Sequence, residues 1–247
     1  MKIKFITLNF WKGGILFNAA IKFIKQEAPD ILVLQEVIDS RDSLARLKKT
    51  LVEYRGSAFA PMFFDTTQTR QVEWGNAVFS RLPLQVKKTV FYDIPYGEFK
   101  EDQGDQHDYS LVPRNLQQVT VQLASGPINV FNTHGIWGPG KGGDNPRRLA
   151  MSRTIIQHVK DKSRVILAGD FNTRSSTRTI KNIEGDLTNV FKDGLKTSFN
   201  MKRKTNPGYG QAVVDLIFVS PDIKVVDHYC PQVDVSDHLP LVCILEV

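Results

Sequence analysis

The chain has 247 residues, 41% hydrophobic and 23% charged, enough to bury a large core in one big domain or two ordinary ones. Its formal charge of +6 favours a polyanionic partner, nucleic acid or an anionic lipid surface, without requiring one. Two cysteines, Cys230 and Cys243, make a disulfide framework improbable. The N-terminal apolar run is too short for a signal-peptide core, and no stretch nears the roughly 18 apolar residues of a membrane span. A soluble, cytoplasmic protein is the expectation.

Ile3 to Leu8 reads as a first strand ending at Asn9, which is either turn chemistry before Gly13-Gly14 or a site residue. Leu16, Ala20, Phe23 or Ile24, and Ala28 recur at helical spacing until Pro29-Asp30 stops the helix. Ile31 to Leu34 is a continuous apolar strand ending in Gln35-Glu36. A carboxylate directly after a run buried on both faces is costly unless it is paired, hydrogen-bonded or bound to metal, so Glu36 is a candidate ligand. Asp39 or Ser40 can cap a helix carrying Leu44, Leu47 and Leu51.

Strands follow around Ala58 to Phe64 and Asn76 to Phe79, then an exposed acidic loop from Asp93 to Asp108 in which His107 is a surface histidine. Leu116 to Leu123 and Ile128 to Phe131 form a hairpin around Ser125-Gly126-Pro127, which delivers His134 to a strand end. The glycine-rich loop from Gly135 to Asp144 carries Trp137 and Lys141, and Asn145-Pro146 opens a helix running through Val159. Arg147 and Arg148 in its first turn run against the helix dipole. They are placed for an anion or form a solvated face.

Val165 to Ala168 is a buried strand followed by Gly169-Asp170-Phe171-Asn172. The acid and the amide stand one residue apart, as two polar ligands at a sheet rim would, and also as ordinary turn formers do. A short helix is expected from Leu187 to Lys192. Lys202-Arg203-Lys204, continuing to Tyr209, is a basic loop that clamps a phosphodiester backbone or is a solvated turn. Asp215 lies inside the apolar run Val213 to Val219 and demands a partner, for which histidine is the natural choice. Asp237-His238 precede a last strand from Leu241 to Val247, and no linker divides the chain, so a single domain spanning 1–247 is expected.

Asn9, Glu36, His134, Asp170, Asn172, Asp215, Asp237 and His238 thus follow or interrupt apolar strands. Carboxylates and amide oxygens suit a hard cation, Mg2+ or Mn2+, and no compact histidine or cysteine motif suggests zinc.

Thr7-Leu8-Asn9, Leu34-Gln35-Glu36-Val37, Gly75 to Arg81, Asn132-Thr133-His134, Gly169 to Asn172, Val214 to Ser220 and Ser236 to Pro240 resemble, in order, the motifs of the endonuclease/exonuclease/phosphatase superfamily. The resemblance covers nearly the whole chain. It implies an α/β, DNase I-like four-layer sandwich of two packed mixed sheets flanked by helices. It further implies Glu36 as principal metal ligand assisted by Asn9 and Asp237, and Asp170 as the group that activates water. Asn172 would orient the phosphate or a second ion, and His238, paired with Asp215, would contact the scissile phosphate. His134 would stabilise or protonate the leaving oxygen. Arg114 resembles a phosphate-contacting arginine, and Glu73 would hydrogen-bond His134.

The expected activity is metal-dependent phosphodiester hydrolysis by in-line attack of water, most simply a nuclease on DNA or RNA. Arg147, Arg148, Lys202, Arg203, Lys204 and Tyr209 would then be substrate contacts. The rivals are a sphingomyelinase-like or other phospholipid or small-molecule phosphodiesterase, and an inactive nucleic-acid-binding module. No obligate protein partner is implied.

Overall fold

In the inward-facing rows of this chain, period-two alternation begins apolar and ends polar, and that gradient shapes the whole fold. The computed structural model describes residues 1–66, 71–99, 109–138 and 142–247. It contains β1 (Lys2–Asn9), β2 (Ile31–Ile38), β3 (Gly56–Asp65), β4 (Val72–Ser80), β5 (Leu84–Phe91) and β6 (Asn115–Leu123). β7 (Gly126–His134), β8 (Val165–Asp170), β9 (Thr188–Asn189), β10 (Asp215–Val219), β11 (Lys224–Tyr229) and β12 (Leu241–Glu246) follow. One sheet has the order β11-β12-β1-β2-β4-β3, and the other β5-β6-β7-β8-β10-β9. β1 and β2 are parallel, as are β7 and β8, and the other pairings are antiparallel.

Alternation sends Ile3, Phe5, Ile31 and Val33 of the first sheet, and Val130, Ile166 and Ala168 of the second, into the seam between the sheets. Ile6, Leu8, Leu32 and Leu34 face the other way, under α1 (Phe17–Glu27) and α2 (Leu44–Thr50). Phe131, Leu167 and Leu216 do the same under α3 (Pro146–Val159) and α4 (Arg178–Glu184). The result is the four-layer sandwich of two mixed sheets flanked by helices. Each large apolar side chain so buried contributes about 1.5–3 kcal/mol.

Toward one end the inward rows turn polar: Thr7 after Phe5, Gln35 after Val33, Asn132 after Val130. Gln35 Nε2 donates to Asn132 Oδ1 (2.7 Å) and Thr7 Oγ1 (3.3 Å). Asn132 Nδ2 reaches Leu34 O (3.0 Å), Ala77 O (3.1 Å) and Gln117 Oε1 (3.3 Å). These bonds join the two sheets beneath the rim, and of the Gln35–Asn132 pair Gln35 Oε1 alone is left without a partner.

Several expectations are corrected. The chain is not helical from Leu187 to Lys192: Thr188–Asn189 is strand β9, and the helix is α4, which starts at Arg178. The Thr177 side chain accepts from Ile180 N, and the distant Asp144 accepts from Arg178 N and Thr179 N, fixing the start of α4. Neither Asp39 nor Ser40 caps α2, whose N-cap position is Ser43 without a side-chain bond. Strands β5 and β11 lie at sheet edges with mostly exposed residues. Of the acidic loop, residues 100–108, with His107, lie outside the described residues, as does Lys141.

Candidate active site

The polar ends of the rows meet at one rim. Asn9, His134 and Asp170 are the last residues of β1, β7 and β8, and Asp215 is the first of β10. Register sets His134 beside Asp170 in the parallel pair, and Asp215 beside Asp170 in the antiparallel one. Gly169 makes that convergence possible: its φ is +140°, and a Cβ there would stand 2.0 Å from Thr133 O.

Glu36 reaches the rim through a bulge. The β2–β4 register jumps from Leu34↔Ala77 to Val37↔Gly75, so Gln35 and Glu36 together oppose Asn76. Glu36 adopts a left-handed φ of 57°, and Asn172 one of 51°. Non-glycine residues in that region carry a conformational cost, and here both line the same cleft.

Asp170 is the hub. Its Oδ1 accepts from Asn172 N (2.7 Å) and its Oδ2 from Asn9 Nδ2 (3.2 Å), while His134 Nε2 and His238 Nε2 stand 3.6 and 3.9 Å from Oδ2. Burial, then the neighbouring Asp215 carboxylate, pushes Asp170 up to about 6. Burial alone would discharge His238, but its 2.8 Å bond to Asp215 and the nearby acids outweigh it and raise the ring to about 10. His238 is therefore an imidazolium at neutral pH. His134 is the opposite: burial, then Arg114 and His238, holds it well below the usual range. Arg114 Nη1 donates to His134 Nδ1 at 2.6 Å, so the neutral ring carries its proton on Nε2. Asp170, Asp215 and His238 together present ligand atoms within 4.8 Å of one another, a buried set capable of holding a divalent cation.

Asn9, expected as an oxygen ligand, is turned the other way. Its Nδ2 donates to Glu36 Oε1 (3.0 Å) and Asp170 Oδ2, and its Oδ1 accepts from Trp11 N (3.0 Å), so it bridges the two acids as a donor. Asp237 lines the cleft with Lys204, whose Nζ is 2.6 Å from its Oδ2. Asn172 Nδ2 donates to Gly135 O (3.1 Å) beside the same cleft.

Arg148 is neither solvated nor turned to an anion. It is buried, and its guanidinium donates to the carbonyls of Ile136 (3.0 Å), Gly143 (2.6 Å) and Gly138 (3.4 Å), tying down the loop after His134. Arg147 bonds Asp93 and Ser110 O outside the cleft. Arg203 is held by Asp234, Lys202 is exposed, and of the three basic loop residues Lys204 alone lines the cleft, with Tyr209. Glu73 accepts from Tyr96 instead of from His134, whose Nδ1 is taken by Arg114.

The cleft has a volume of about 350 Å³, and much of its wall is aromatic. Phe63, Trp74, Tyr109 and Trp137 line it, none of them marked by sequence spacing, because they come from β3, β4 and two loops. Their one sequence signal is that half-polar segments carry rings.

A two-sheet sandwich with acids and histidines buried at the rim of its seam defines a phosphoesterase-type, metal-dependent enzyme class. The profile of the Endonuclease/Exonuclease/phosphatase family matches residues 6–238, and the chain belongs to that family. Solved structures agree in fold. An endonuclease/exonuclease/phosphatase from Beutenbergia cavernae is 22% identical with a TM-score of 0.78, over 100% of this chain and 72% of that one. The human Nocturnin catalytic domain with bound sulfate is 17% identical (TM-score 0.70; 99% and 94% covered). D. rerio TDP2 complexed with single strand DNA product is 18% identical (TM-score 0.68; 100% and 99%). No curated protein matches in sequence. Among the described residues no helix is long and apolar enough to cross a membrane.

Proposed function

We propose that the chain is a single-domain, divalent-metal-dependent phosphodiesterase acting on nucleic acid. The observation that carries this is Asp170, a buried carboxylate raised to about 6 and set among Asn9, His134 and the His238–Asp215 pair. A base needs such a pKa to accept a proton from water near neutrality, and the same acid in a stabilising ion pair would be pulled down.

The residues at hand fit a hard cation through their donor chemistry: carboxylate oxygens of Glu36 and Asp237 line the cleft, and no thiol does. His238 has its Nδ1 engaged by Asp215 at 2.8 Å, and a hard cation prefers oxygen donors to a ring nitrogen. Glu36 and Asp237 are therefore the residues that would hold Mg2+ or Mn2+, which when bound would draw charge from a phosphate oxygen.

Asp170 accepts the proton of the attacking water. His238, kept charged by Asp215, donates from Nε2 to a non-bridging oxygen on which charge accumulates. Asn172 Nδ2, with one hydrogen on Gly135 O, adds a neutral donor at the cleft beside Asp170. His134, neutral with hydrogen on Nε2, serves as a hydrogen-bond donor to the leaving oxygen and not as a strong acid. Lys204, paired with Asp237, offers a cation at the substrate side. The basic chain, and the nucleic-acid product held by the similarly folded TDP2, favour a nucleic-acid substrate.

The test is product formation with Mg2+ or Mn2+ on single- and double-stranded DNA, RNA, a phospholipid and bis-p-nitrophenyl phosphate, with Asp170→Asn as control. Metal-dependent nucleic-acid cleavage lost in the control is expected. Cleavage of the lipid alone would overturn the substrate, and wild-type rates in Asp170→Asn would overturn the base.

A further inference from the structure

All three tryptophans of the chain, Trp11, Trp74 and Trp137, line the one cleft, although they come from the turn after β1, from β4 and from the loop after β7. None is fully buried. Partly exposed tryptophans converging on a cavity leave apolar surface for something else to cover.

The wall is fixed from behind. Trp74 stacks on Phe63 with centroids 5.8 Å apart and planes 12° from parallel, and Phe99 meets Phe63 edge-on at 5.5 Å. Met62, Phe63 and Val112 form the buried backing. Tyr109 packs on the same cluster and meets Trp137 edge-on at 5.9 Å and 85°. The loop bearing Trp137 is held by the Arg148 guanidinium through Ile136 and Gly138. Ring position is thereby set before any ligand arrives.

We propose that this aromatic half of the cleft is a subsite for one unpaired nucleobase, that of the nucleotide adjoining the scissile phosphate. The proposal rests on the phosphodiesterase function put forward above and narrows its substrate to terminal or single-stranded nucleotides. Two physical points select a base. A wall of rings offers flat faces, which suit a planar heterocycle better than an alkyl chain, and every base has such a face. In a duplex both faces of each base are already stacked, so a base can meet these rings only when it is out of the helix. The polar half, with Asp170, His238 and Lys204, lines the same cleft and would take the phosphate.

Tryptophan fluorescence reads the subsite directly, without turnover. Metal-free wild-type protein is titrated with thymidine 5′-monophosphate, ribose 5-phosphate and phosphocholine. Hydrolysis of dithymidine phosphate is compared with that of its analogue lacking one base. Saturable quenching by the nucleotide alone is expected, with at least tenfold higher KM for the base-free diester. Trp137→Ala should weaken nucleotide binding about tenfold and Trp137→Phe should restore most of it. Should the alanine variant not fold, the wild-type ligand comparison still decides. Equal quenching by nucleotide and ribose 5-phosphate, or selective quenching by phosphocholine, overturns the subsite. Hydrolysis with equal KM for both diesters leaves the phosphodiesterase standing and removes the base pocket. Selective quenching without hydrolysis of either does the reverse.

Discussion

Asn132→Leu puts an apolar side chain of similar size where the inward row of β7 turns polar. In the native protein the two hydrogens on Asn132 Nδ2 serve three acceptors at 3.0, 3.1 and 3.3 Å, and Oδ1 accepts from Gln35 at 2.7 Å. Leucine leaves Gln117 Oε1 without its partner, at about 1–3 kcal/mol, and takes one hydrogen bond from each of the Leu34 and Ala77 carbonyls, which face each other in the β2–β4 ladder, at about 0.5–1.5 kcal/mol each. Gln35 keeps Thr7 Oγ1 at 3.3 Å, which limits its loss. Added apolar burial returns about 1–2 kcal/mol, so at the middle of these ranges the net destabilisation is about 2–3 kcal/mol. With a urea slope of about 2–3 kcal/mol per molar, the unfolding midpoint falls by about 1 M. Urea titration followed by tryptophan fluorescence measures it. A midpoint equal to wild type or higher would show that the seam is satisfied without Asn132 and refute the network as the joint beneath the site.

The rate should follow pH as a plateau. Asp170, raised to about 6, accepts protons only above that value, and His238, raised to about 10, loses its charge beyond it, so kcat/KM rises through about 6 and falls toward 10. A profile flat across pH 5–7 would remove Asp170 as base. For metal-free stability, the raised His238 stabilises fully below its unfolded value of 6.5 and loses that contribution as pH rises through about 10. Urea midpoints at pH 7 and 10.5 should differ in that direction, and Asp215→Asn should shrink the difference. Glu36→Gln should shift the Mg2+ concentration for half-maximal rate upward at least tenfold, and an unshifted titration would take Glu36 off the metal. Arg148→Met leaves three carbonyls without their charged donor and should cost several kcal/mol while lowering turnover, because the loop after His134 loses its anchor. Loss of turnover with an unchanged thermal midpoint would instead put Arg148 in contact with substrate.

The strand-end residues were legible because continuous apolar runs broken by Glu36, His134 or Asp170 leave few physical explanations. What the sequence did not carry is long-range. The start of α4 depends on Asp144, more than thirty residues away. The bulge that turns Glu36 outward is a property of the β2–β4 pairing, and β5 and β11 are edge strands with too little burial to impose alternation. Arg148 looks like any surface cation until the loop carbonyls fold around it. Asn9 reads in the sequence as a candidate at a strand end, but only the positions of Glu36 and Asp170 decide which end of its amide faces them.

Glu36 and Asn9 belong to one sheet, and His134, Asp170 and Asp215 to the other. A molecule that engages both groups is therefore a rivet through the sandwich, and its affinity adds directly to the work needed to part the two halves. At a hundred times its dissociation constant such a ligand stabilises the fold by about 2.7 kcal/mol. Heat resistance then becomes a binding assay: the thermal midpoint should climb with the concentration of anything seated across the seam, because whatever binds the folded chain and not the unfolded one draws the equilibrium toward folding.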